Sequence, residues 1–165
     1  MNKELSARKK MRLQGYDYSN EGYYFVTICV IDRQEKLGRI IGDGVLDVPH
    51  CELTAFGKLI DSRIKSMNDI YNDIKTDKYV IMPNHVHLII CISNENGSSR
   101  TPTPTNAKIP RFISTLKRYT NKDCGFSVWQ RSFHDQIIRD EDEYLRIWQY
   151  IDENPINWKD DEYHV

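Results

Sequence analysis

Two short patterns in this chain carry residue types that do chemistry. The first is His85-Val86-His87. On a strand, residues two apart point to the same face, so both imidazoles project together while Val86 points the other way, into the core. Paired neutral imidazoles offer two nitrogen lone pairs, half of a divalent-metal site. On its own the pattern also fits surface or cross-strand histidines. The second is Tyr150-Ile-Asp-Glu-Asn154. On a helix, positions four apart lie one above the other, so a phenol and an amide oxygen share a face. On its own it equally fits a packed tyrosine followed by a helix-ending asparagine. Taken together the two patterns describe one object. Two histidines and an asparagine oxygen suit Mg²⁺ or Mn²⁺ and leave positions open for phosphate oxygens. A tyrosine beside them can attack phosphorus as a nucleophile. With a free pKa of about 10, it needs activation to do so.

These residues need elements to hold them. Tyr23 to Ile31, YYFVTICVI, reads as a buried strand. Gly38 to Cys51 reads as a small hairpin turning at Gly42-Asp43-Gly44. Thr54 to Met67 places Phe56, Leu59, Ile60, Ile64 and Met67 at helical spacing, with Thr54 as N-cap. Ile74 to Ile92 reads as two strands around Met82-Pro83-Asn84, because Pro83 has no donor for a ladder. Ile109 to Tyr119 reads as a helix, and Val128 to Arg139 as a loop with a short strand. Asp140 to Asn154 is a helix whose acidic start complements its dipole, and Pro155 is expected to end it by disfavouring helical geometry at Asn154. The order β, hairpin, α, β, β, α, β, α predicts an α+β fold. A ferredoxin-like or RRM-like antiparallel sheet with helices packed on one face is the expected arrangement.

The chain has 165 residues, which suits one domain. Residues 1–14 are expected to form a flexible basic arm and residues 93–106, rich in Ser, Gly and Pro, a flexible loop. The cysteines at 29, 51, 91 and 124 include no CxxC pair, which argues against a zinc cage and for reduced, buried thiols. No stretch reads as a signal peptide or membrane span, so a cytoplasmic protein is expected. Taken as a total, the formal net charge of −1 argues against an electrostatic nucleic-acid binder. The charge is unevenly spread, however. Residues 1–14 hold five bases against one acid, and residues 107–139 seven against two. Residues 140–165 hold nine acids against two bases. Such asymmetry signals a partner where the total does not. Lys117-Arg118-Tyr119 mixes charge with an aromatic ring, a combination that suits phosphate contact and base stacking as well as an ordinary solvated helix face.

Four segments, LQGYDYSNEGYYFVTICVIDR, YVIMPNHVHLII, VWQRSFHDQIIRDEDEY and YIDENPINW, resemble the single-tyrosine HUH transposases, most closely the REP-associated tyrosine transposase branch. The resemblance runs over nearly the whole chain. It implies that His85, His87 and Asn154 are metal ligands for Mg²⁺ or Mn²⁺ and that Tyr150 is the nucleophile. It implies single-stranded or hairpin DNA as partner, with cleavage through a 5′-phosphotyrosine link that leaves a 3′-hydroxyl. Strand exchange then needs no ATP. With the resemblance, Arg8, Lys9, Lys10 and Arg12 of the arm and Arg111, Lys117, Arg118, Tyr119 and Arg131 are expected DNA contacts. His134 is expected to be structural rather than a ligand. The family contains monomers and homodimers, so either state is open. A domesticated relative that holds hairpin DNA without cutting it is the alternative reading.

Overall fold

The computed structural model describes residues 20–42, 44–93 and 107–165. A four-stranded sheet in the order β4-β5-β1-β6 forms its centre. Strand β1 (Gly22–Cys29) pairs antiparallel with both β5 (His85–Ile92) and β6 (His134–Ile138). Strand β4 (Ile74–Ile81) pairs antiparallel with β5 at one edge. A separate two-stranded hairpin joins β2 (Gly38–Ile41) to β3 (His50–Leu53). The helices are α1 (Ala55–Ile70), α2 (Lys108–Cys124) and α3 (Glu141–Glu153). Element order and fold class match the expectation, down to the Thr54 side chain accepting from the Gly57 N–H at the start of α1. Helix α2 runs past Tyr119 to Cys124, where Gly125 takes the left-handed C-cap position with φ 79°.

Strand alternation divides the sheet chemically. On one face Tyr24, Val26 and Ile28 of β1 and Val86, Leu88 and Ile90 of β5 are buried beneath α1 and α2. Ile60, Ile64 and Met67 from α1 and Phe112, Ile113 and Leu116 from α2 complete that core. Trp129 and Phe133 belong to it as well, and Trp129 Nε1 donates to Thr120 Oγ1 at 2.7 Å. The odd-numbered residues of β1 and β5 look the other way, and α3 covers them. There Ile89, Ile138 and Ile151 form a smaller core with Phe25, Val80, Tyr144 and Ile147. The sheet therefore carries helices on both faces, two on one and α3 alone on the other. This refines the expected one-sided packing. Helical periodicity reveals that a helix has an apolar stripe, but not which side of a sheet receives it.

Helix α3 is docked by more than its apolar stripe. Lys78 Nζ on β4 lies 2.8 Å from Asp152 Oδ1 and 3.4 Å from the Trp148 ring centroid. The Tyr144 hydroxyl donates to Asp77. Asp140 caps the helix by accepting from the Glu143 N–H at 2.8 Å.

Candidate active site

His85 and His87 project from β5 toward α3, as the alternation of a strand requires, and both are buried. Their Nε2 atoms face each other at 3.0 Å. The outer nitrogens are held from behind: His85 Nδ1 meets Asn84 Oδ1 at 2.8 Å, and His87 Nδ1 meets Thr27 Oγ1 at 2.7 Å. Asn84 has no freedom to turn. Its Nδ2 donates to the carbonyls of Arg33 (3.2 Å) and Tyr163 (2.8 Å), so only its oxygen can face His85. An amide oxygen only accepts, so His85 carries its proton on Nδ1 and presents a lone pair at Nε2. Arg33 and its neighbour Asp32 reach this geometry through left-handed backbone, φ 51° and 55°.

Burial keeps both rings neutral. It pulls His85 down to about 4, against the opposing pull of the Asp161 charge. It holds His87 well below the ordinary histidine value, with His85 adding to the effect.

Tyr150 and Asn154 come from the end of α3. Asn154 keeps helical angles, φ −55° and ψ −43°, although Pro155 follows it. The expected change of geometry at Asn154 does not occur. The helix ends after Glu153 because residues 154–157 form turns that return Ile156 and Asn157 N–H groups to the Glu153 carbonyl. The helical angles at Asn154 preserve the four-residue stagger that puts both side chains on one face. The Tyr150 hydroxyl lies 3.4 Å from His87 Nε2, at the long end for a hydrogen bond. Its ring makes an edge contact with Phe25 at 6.1 Å and with His87 at 5.3 Å. The residue remains 38% exposed, open to a ligand from outside. Burial and the Asp161 charge push its phenol up to about 12, while the Asn154 side chain pulls the other way. Tyr150 is therefore a neutral phenol at neutral pH.

Asn154 is 2% exposed, and its Oδ1 is buried without a hydrogen-bond partner. Its Nδ2 donates to Asp161 Oδ2 at 3.0 Å. Among the described residues, His85, His87 and Asp161 form a group whose ligand atoms lie within 4.8 Å of one another. Neutral imidazoles, an orphaned amide oxygen and a nearby carboxylate suit a divalent cation. Sequence reasoning missed Thr27, Asn84, Asp161 and Tyr163. Asn84 had a signal in its position next to His85. The others arrive from distant segments.

The expected DNA contacts divide. Arg8, Lys9, Lys10 and Arg12 lie outside the described residues, as do the Gly15–Tyr18 segment and all but the first residue of the 93–106 loop. Arg111, Arg118 and Tyr119 line a groove on α2 together with Tyr71. Arg63 and Arg118 flank the Tyr119 ring at 5.1 and 5.2 Å, and Arg111 lies 6.0 Å from the Tyr71 ring centre. Lys117 instead turns inward, donating to the carbonyls of Gln130 and Ser132 at 2.8 Å each. Burial pulls its ammonium down to about 8. Arg131 is exposed, and His134 is exposed on β6.

No family model matches the chain. A Haemophilus influenzae protein described as "Uncharacterized protein" is 31% identical to it, covering 99% of this chain and 97% of that one. A second Haemophilus influenzae protein, named "Putative REP-associated tyrosine transposase", is 24% identical over 85% of this chain and 73% of its own length. The chain is thus similar in sequence to a protein named for the REP-associated tyrosine transposases. A solved transposase of that name, bound to a REP hairpin, shares the fold with a TM-score of 0.64 at 17% identity, covering 89% of this chain and 73% of that one. No helix among the described residues is long and apolar enough to cross a membrane.

Proposed function

We propose that this transposase-family chain cleaves and rejoins single-stranded DNA next to hairpins, with Tyr150 as nucleophile and a divalent cation, Mg²⁺ or Mn²⁺, held by His85, His87 and Asn154. The observation that carries this reading is the position of the Tyr150 hydroxyl, 3.4 Å from His87 Nε2, beside two facing imidazole nitrogens and an orphaned Asn154 oxygen.

A bound cation would supply a Lewis acid that draws charge from the phosphate and lowers the barrier to attack. The chain's own residues do the rest. Phe25 and His87 hold the Tyr150 ring in place through ring contacts. Tyr150 Oη forms a bond to phosphorus as the bond from phosphorus to the 3′-oxygen breaks. The phenol proton is lost and the departing 3′-oxygen gains one, leaving a 5′-phosphotyrosine and a 3′-hydroxyl. The reverse attack restores the phenol and a phosphodiester, so the bond energy is conserved without a nucleotide cofactor. Arg111, Arg118 and Tyr119 lie on the opposite face of the sheet. There they would grip the hairpin while its single-stranded flank reaches Tyr150 around the sheet edge.

The test is a labelled hairpin with single-stranded flanks, incubated with the protein and Mn²⁺ and run on a denaturing gel. A covalent adduct is expected, and Tyr150→Phe should abolish it. An adduct that survives this substitution removes Tyr150 as nucleophile. Hairpin binding without any adduct, across a panel of hairpins, would favour a binding module that no longer cuts.

A further inference from the structure

Asp161 stands outside the pattern of histidines, tyrosine and asparagine, yet it touches that pattern at its most ambiguous point. It follows the short 3₁₀ turn Trp158–Asp160, seven residues after Asn154. Its Oδ2 accepts from Asn154 Nδ2 at 3.0 Å, and its Oδ1 accepts from the Tyr163 backbone N–H at 2.6 Å. Both contacts come from N–H donors, so the carboxylate acts here purely as an acceptor. An asparagine side chain has a donor end and an acceptor end of nearly the same shape, and only its partners decide which way it lies. Facing Asp161, Asn154 can offer only its NH₂. Its oxygen must then point away from Asp161, and that oxygen is the buried atom without a partner.

We infer that Asp161 is a positioning residue that selects the orientation of the Asn154 amide and so presents Oδ1, not NH₂, to a cation beside His85 and His87. The inference rests on the proposed cation site. An orphaned oxygen buried in a folded chain normally costs about 1–3 kcal/mol. Its presence is accounted for if Asp161 holds it ready for a positive charge. In the reverse orientation the NH₂ would meet that charge and repel it. Asp161 also lies within ligand reach of both histidines, so a direct bond to the metal is the competing role that the test must separate.

Asp161→Asn discriminates well. The replacement amide keeps an oxygen for the Tyr163 N–H but presents an NH₂ to Asn154, and two donors then meet. Asn154 has to rotate, turning its NH₂ toward the histidines. Mn²⁺ binding to the DNA-free protein, followed by the EPR signal of free Mn²⁺, should weaken about 10- to 100-fold, the range for loss of an outer-shell partner. In an Asn154→Ala background the same substitution should change the affinity less than about twofold, because there is no amide left to orient. A loss of similar size in both backgrounds would show direct ligation or a pure charge effect and overturn the positioning role. Unchanged affinity of Asp161→Asn while the unsubstituted protein binds would overturn it too, and would leave the cation site standing. Failure of the unsubstituted protein to bind Mn²⁺ would remove both. A metal-free thermal midpoint checks folding, and Asp161→Ser enters the same cycle if Asp161→Asn does not fold.

Discussion

At the scale of single residues, the site is organised by which nitrogen holds a proton. Asn84 leaves His85 no choice, but Thr27 leaves His87 two, because a hydroxyl can donate or accept. Without a cation, His87 can donate from Nε2 to the His85 Nε2 lone pair 3.0 Å away while Thr27 donates to Nδ1. With a cation both Nε2 atoms must be lone pairs, so the proton moves to Nδ1 and Thr27 accepts. Nitrogen-15 NMR of the imidazoles should report this tautomer exchange at His87, and none at His85, as Mn²⁺'s diamagnetic substitute Mg²⁺ is added. Thr27→Val removes both options and should weaken metal binding about tenfold, measured by titration calorimetry. The depressed histidines also set a pH dependence. The unfolded chain takes up protons near pH 6.5, whereas folded His85 resists until about 4 and burial holds His87 well below its ordinary value too. Stability is therefore fully present above pH 6.5 and is lost as pH falls from there toward 4. Urea midpoints in chelator should decline over pH 6.5 to 5, with a shallower decline in His87→Gln.

At the scale of elements, most of the architecture was legible because each segment states its period. The β1 run, the α1 stripe with its Thr54 cap and the hairpin around Pro83 all follow from spacing and turn chemistry. The pair His85 and His87 was placed on one face for the same reason. Other features were not local. The side of the sheet chosen by α3 depends on Ile89 and Phe25 meeting Ile151 and Ile147, contacts that periodicity does not encode. Asp161 reaches Asn154 only after the chain turns back beyond Pro155, so no motif announces it. The connection between β2 and β3 spans eight residues rather than a tight turn, since the strands end at Ile41 and resume at His50. Element packing also yields a prediction that opposes propensity. Gly57 lies in the first turn of α1, where alanine would ordinarily favour a helix by about 1 kcal/mol. A Cβ there would sit 2.0 Å from the Leu37 carbonyl oxygen, on backbone that cannot swing aside. Gly57→Ala should lower the thermal midpoint by several degrees instead of raising it, as a calorimetric scan would show.

At the scale of the whole molecule, charge and chemistry occupy different territory. The acidic end of the chain carries Tyr150, while the basic residues of α2 lie across the sheet. DNA affinity should then depend on salt through the α2 face. Replacing Arg111 and Arg118 together with alanine should weaken hairpin binding and reduce the slope of log affinity against log salt by about 1.4 to 1.8, from two lost phosphate contacts. Fluorescence anisotropy across a salt series would measure this. An unchanged slope would move the DNA surface elsewhere.

The two-faced sheet has a practical consequence for anyone redesigning the protein. Because Ile60, Ile64, Phe112 and Leu116 belong to the core on the far side of β1 and β5, they form a layer that can be rewritten as a unit. Libraries confined to that layer could harden the scaffold against heat while leaving the histidines, the tyrosine and their supporting amides untouched. Robustness and reactivity are thus separately evolvable here, divided by the thickness of one sheet.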